Sequence, residues 1–161
     1  MCPVEWTKIN QEENGVAWGA RDDSPGRWEV ASRVCGRKLK LQHRSGGVGN
    51  AEDAASNFGS RTSDYLGAWV TVGKGSEYAV APYAGDPKVT FYTENTSGWY
   101  FLSGYNSVSP NLEFDLPLTD EESYYCFEEG TEYQLWYGED MNDYTEYDNV
   151  GTAYTDILIT S

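Results

Sequence analysis

The sequence predicts an all-β fold, an antiparallel β-sandwich of about eight to ten short strands with at most one short helix. Two observations carry that expectation. Short apolar-patterned runs recur along the whole chain, separated by Gly, Asn, Asp, Ser and Pro, the spacing of half-buried strands joined by tight turns. The aromatic residues are mostly 13 Tyr and 6 Trp, with 5 Phe; Tyr and Trp rings have an apolar body and a polar edge, and suit sheets and recognition surfaces as well as cores. At 161 residues the chain reads as one domain, 1–161, which buries roughly two thirds of the surface its unfolded form exposes.

From the N-terminus, the candidate strands are Val16–Ala20, Trp28–Val34, Lys38–His43, Ala68–Val72, Tyr78–Tyr83, Val89–Glu94, Trp99–Leu102, Leu112–Leu116, Gln134–Tyr137 and Thr152–Thr160. Period-two alternation is clearest in Lys38-Leu39-Lys40-Leu41 and in Leu112-Glu113-Phe114-Asp115-Leu116, where the apolar side chains share one face. Only Ala51–Asn57, with Glu52-Asp53 early in it, has helical character, for two turns at most. Thr119-Asp120-Glu121-Glu122 fits a capping box, but no long amphipathic run follows and it reads as a turn. His43 sits in the basic stretch Arg37–Arg44 with no catalytic partner nearby and reads as an exposed strand-end residue.

Charge is unevenly distributed. Residues 1–88 hold 11 Lys plus Arg and 11 Asp plus Glu, whereas residues 89–161 hold 15 acids and no Lys or Arg, so the net charge of −15 belongs to the second part. A field of that sign repels phosphate backbones and anionic lipid, which argues against nucleic-acid and membrane partners. No apolar run approaches the 18 or so residues of a membrane helix. Met1 before Cys2 reads as an initiator added to a processed, mature chain. Asn95-Thr96-Ser97 fits a glycosylation sequon.

Cys2, Cys35 and Cys126 are too far apart for a zinc-ribbon or CxxC arrangement. One bridge plus one leftover thiol is the simplest arrangement and points to an oxidising, extracellular compartment. Cys35 ends one strand-like run and Cys126 lies shortly before another, which favours a staple between them; the alternative joins Cys2 to Cys35 and leaves Cys126 over.

The stretch with the most chemistry is Gln134–Gly151. A strand-like aromatic run feeds a loop between Gly138 and Gly151 that holds five carboxylates and two Asn amides within eleven residues. Ca²⁺ takes about six to eight oxygen ligands, and a loop of this composition can wrap one. The expected ligands are Glu139, Asp140, Asp143, Glu146, Asp148 and Asn149. The spacing is not that of an EF-hand, and Mg²⁺, which keeps most of its waters, fits less well. Aromatics interleave with the acids: Trp136, Tyr137, Tyr144, Tyr147 and Tyr154. A sugar has vicinal hydroxyls that replace water on Ca²⁺ and an apolar face that packs on a ring. The expected sugar contacts are Trp136, Tyr137, Tyr144, Glu146 and Asp148.

The segment Leu135-Trp136-Tyr137-Gly138-Glu139-Asp140…Asp143…Thr145-Glu146…Asp148-Asn149…Gly151, followed by Asp156-Ile157, resembles a motif of secreted marine invertebrate domains. By length and Cys pattern the whole chain resembles the small Ca²⁺-dependent galactose-binding lectins of sea anemones. The resemblance implies a single secreted carbohydrate-recognition domain for galactose-containing glycans, sugar hydroxyls placed directly on the ion, no catalysis, and a disulfide-linked homodimer, for which Cys2 at the terminus is the available thiol. The sequence lacks the Gln-Pro-Asp and Trp-Asn-Asp signatures and the four-Cys frame of C-type lectins, so their residue roles do not transfer. Two rival readings are a secreted glycosidase with paired carboxylates and an acidic Ca²⁺-binding matrix protein. The first lacks a reason for one carboxyl to stay protonated beside a cation. The second leaves the patterned strands unexplained.

Overall fold

The alternation along Lys38–Leu41 sets the centre of the larger sheet. In the computed structural model, which describes residues 5–50, 55–59, 64–91, 98–118, 123–143 and 146–160 with Glu146 described by its backbone alone, this run opens strand β5 (Lys38–Gly49). The other strands are β1 (Thr7–Lys8), β2 (Val16–Gly19), β3 (Gly26–Trp28), β4 (Val34–Gly36), β6 (Ala68–Thr71), β7 (Ala79–Ala81), β8 (Val89–Phe91), β9 (Tyr100–Leu102), β10 (Asn111–Asp115), β11 (Tyr125–Phe127), β12 (Tyr133–Tyr137) and β13 (Val150–Thr160). One α-turn, α1 (Gly138–Met141), and the 3₁₀ turns Ser76–Tyr78 and Glu146–Asp148 complete the described elements.

The larger sheet runs β1-β13-β5-β10, with β2 also paired to β13; the second runs β3-β12-β6-β7; β11-β4 and β8-β9 are two-stranded ribbons. All pairs are antiparallel. This is the expected all-β sandwich. Register explains the alternation. Leu112, Leu41 and Ile157 lie side by side, as do Phe114, Leu39 and Ile159, and all six are buried. Lys38 and Lys40 face the other way, opposite Asp115 and Glu113. The inner row meets Trp28, Val70, Tyr133 and Leu135 of the second sheet in one core. Each such side chain contributes about 1.5–3 kcal/mol by leaving water.

The differences from the sequence reading have local causes. The run Trp28–Val34 is two strands, because β3 pairs with β12 while β4 pairs with β11 and the chain changes sheets between them. β5 continues well past His43, which is therefore mid-strand and half-buried. Its ring meets the edge of Phe58 at 6.1 Å, its Nδ1 finds no partner, and burial holds its pKa below 6.5. Of the expected helix Ala51–Asn57, residues 55–57 are described and are not helical: Ser56 exchanges backbone hydrogen bonds with Val48 at 2.8 and 2.9 Å. The sequon and the Thr119–Glu122 turn lie outside the described residues. Cys35 and Cys126 are directly opposed across β4 and β11 and are bonded; Cys2 lies outside the described residues. No described helix is long and apolar enough to cross a membrane.

Candidate functional site

Strand β12 delivers the chain to the acidic loop through Tyr137, and Gly138 turns it into α1. Here two backbones touch: Gly138 N–H donates to Gly67 O at 2.7 Å, and a Cβ on Gly98, whose φ is +74°, would lie 2.6 Å from Gly138 Cα. Only glycine allows that approach. It brings Trp99 onto the site. The Trp99 indole lies edge-on to Tyr137, with centroids 5.6 Å apart at 86°, and its Nε1–H donates to Glu139 Oε2 at 2.7 Å.

Next to Trp99 and Tyr137 is a buried polar chamber, defined by its unpartnered atoms. Tyr137 and Asn149 are fully buried and Asp148 is half-buried. The Tyr137 hydroxyl, Asp148 Oδ1 and both amide atoms of Asn149 are buried without hydrogen-bond partners. Burial, and then the charges of Glu139 and Asp148, push the Tyr137 phenol far above its ordinary pKa, so both carboxylates lie near it. Buried polar atoms left unpaired are costly, and three of these are oxygens. A hard cation takes such a set. The fit is partial on the described residues: among them no three acidic, His or Cys side chains stand together as a metal cluster, so Glu139 and Asp148 need Asn149 and the Tyr137 hydroxyl to complete a shell.

The other expected ligands are engaged differently. Asp140 is buried, and its Oδ1 and Oδ2 accept the N–H groups of Asp23 and Ser24 at 2.8 Å each. It fastens the 21–25 loop. Asp143, in the left-handed region at φ 53°, is ion-paired at 3.0 Å to Lys74 Nζ, which also meets Asp23 at 3.0 Å and lies 5.9 Å over the Trp136 ring. The crowding of acids in residues 89–161 is thus relieved by cations from earlier in the chain: Arg27 reaches Glu132, Arg33 reaches Glu128, Arg44 reaches Asp156 and Lys88 reaches Asp115. A cation-free stretch of sequence is not a cation-free volume.

Trp136 and Tyr137, expected to stack on a sugar, are 3% and 0% exposed. Trp136 pairs opposite Trp69 on the far face of the second sheet and donates its indole N–H to Gln134 Oε1 at 2.7 Å. Neither presents an open ring face. Tyr144 and the side chain of Glu146 lie outside the described residues. Among the described residues of this loop the open ring is Tyr147, 81% exposed in the Glu146–Asp148 turn. Its place among the acids was a signal in the sequence. Nothing local announced Trp99 or Lys74, which reach the site only through the fold.

In its fold the chain is similar to the solved structure of AJLec from the sea anemone Anthopleura japonica, with a TM-score of 0.78 over 96% of this chain and 95% of that one, at 24% identity. The likeness is one of fold. No family model matches the chain, and no curated protein matches it.

Proposed function

We propose that the protein is a Ca²⁺-dependent carbohydrate-binding protein that recognises galactose-containing glycans. The carrying observation is the set of buried, unpartnered oxygens of Tyr137, Asp148 and Asn149 in the chamber, which a bound cation satisfies. Glu139, Asp148 and Asn149 hold the ion, joined by Glu146 from the same turn. Vicinal hydroxyls of the sugar complete its coordination, and the exposed Tyr147 ring packs on the apolar face of the sugar. The fold shared with AJLec, a sea-anemone lectin, supports carbohydrate binding without catalysis. Galactose rests on the resemblance of the whole chain, by length and Cys pattern, to the galactose-binding lectins of sea anemones. The Cys35–Cys126 bridge supports a secreted protein, and Cys2 supplies the link of a homodimer.

Calorimetry tests the reading. Ca²⁺ binds the wild type in the range of about 10⁻⁴–10⁻³ M expected of extracellular modules. Galactose binds at around millimolar only when Ca²⁺ is present. Asp148→Ala and Asn149→Ala lose both. Galactose binding that persists in chelator, or Ca²⁺ affinity unchanged in both variants, removes the proposal.

A further inference from the structure

A second feature lies beside this site. Between β2, β13 and the 20–25 loop is an open cleft of about 520 Å³, within the size range of small-ligand sites. Its floor is small: Ala17 and Gly19 of β2 pair opposite Tyr154 and Thr152 of β13, and Gly151 borders them. The loop closes over Gly19, whose N–H donates to Ser24 O at 2.8 Å. The wall carries the Arg21 guanidinium next to the Asp22 carboxylate, 3.5 Å from it, both well exposed. Tyr154, 38% exposed, is the cross-strand partner of Ala17.

The loop of the cleft is tied to α1, the turn that carries Glu139. The N–H groups of Asp23 and Ser24 end on Asp140 of α1, and Gly151 is two residues beyond Asn149, at most about 7 Å of chain. We infer that this cleft is a second sugar subsite, holding the next unit of a neutral oligosaccharide whose terminal unit sits at the calcium chamber. The inference rests on the proposed function. Chemistry selects the ligand class. A donor fork beside an acceptor suits hydroxyls, which both donate and accept. Asp22 opposes an anionic ligand and Arg21 a cationic one. A side-chain-poor floor lets a flat ring come close, and the exposed Tyr154 next to it on β13 is an aromatic neighbour.

The test compares galactose with lactose, a galactose-terminated disaccharide, by calorimetry and amide chemical-shift mapping with Ca²⁺ present. Galactose shifts amides of residues 138–150 alone. Lactose also shifts Ala17, Gly19 and Thr152, and binds about tenfold tighter. Ala17→Phe, which fills the floor, and Arg21→Ala bring lactose down to the galactose level, with galactose affinity and melting temperature as in wild type to show an intact fold. Equal affinities with no shift at Ala17, Gly19 and Thr152 overturn the subsite and leave the calcium site standing. Shifts in the cleft alone, insensitive to chelator, keep the cleft as a sugar site and sink the calcium reading. No shift with either sugar sinks both.

Discussion

Trp99 Nε1 donates a 2.7 Å hydrogen bond to Oε2 of Glu139, joining an indole that follows the Gly98 contact to a buried carboxylate. The bond fixes where that carboxylate points. Trp99→Phe keeps the edge-on ring beside Tyr137 and deletes the donor. The expected cost is about 1–2 kcal/mol of stability and roughly a tenfold loss of Ca²⁺ affinity, the scale of losing a group that orients a metal ligand. Thermal melts and calcium titration read the two separately. A purely structural role for Trp99 lowers the first and leaves the second unchanged.

Asp140 is expected to act on the loop rather than on the ion. Asp140→Ala leaves the N–H groups of Asp23 and Ser24 without their acceptors, at a cost of about 2–3 kcal/mol. Hydrogen exchange at those two amides accelerates. Asp140→Asn keeps one acceptor oxygen and recovers part of the loss. Protection unchanged in Asp140→Ala would show that the loop is held by other contacts.

The chain's only histidine gives a pH signature. Burial lowers the folded-state pKa of His43 below 6.5, so the unfolded chain takes up its proton first as pH falls. His43 therefore costs no stability above about 6.5, and stability declines as pH drops from there through the lowered folded value. His43→Gln removes this component: the difference in melting temperature between wild type and variant is flat above about pH 7 and moves in the variant's favour below about 6.5. A ring titration by NMR at or above 6.5 contradicts it.

Assembly is tested on non-reducing gels. With Cys35 and Cys126 bonded to each other, Cys2 is the third cysteine, and wild type runs as a dimer that Cys2→Ser abolishes. Two linked millimolar sites gain about 10²–10⁴ in avidity on a dense glycan surface. A dimer band surviving Cys2→Ser assigns the contact elsewhere, and a monomer in both removes the avidity.

What the sequence shows well is whatever has a short period. Lys38–Leu41 and Leu112–Asp115 reveal their inner faces because a strand alternates every residue and one face is dry. The acidic loop is legible from composition, since oxygen ligands for a cation cluster along the chain. The roles within it are not. Asp140 and Asp148 are the same residue type eight positions apart; one caps two amides from residues 23–24, the other has a buried oxygen without a partner. Trp136 and Tyr137 look like recognition rings and are buried by Lys74, Trp99 and Gly67, which arrive from other strands and loops. Short strands such as β11 escape because three residues cannot display a period, and β11 is held by the Cys126–Cys35 pairing.

Strand β13 pairs with β1, β2 and β5, so residues 150–160 lie in the middle of the larger sheet rather than at its edge. A growing chain on the ribosome therefore has β1, β2, β5 and β10 made and waiting with their central partner still unsynthesised. β5 can pair with β10 before then, but until Val150–Thr160 is made the edge of β5 that β13 covers is an open template for other strands. The yield of this protein is expected to depend on whatever shields that edge during the wait.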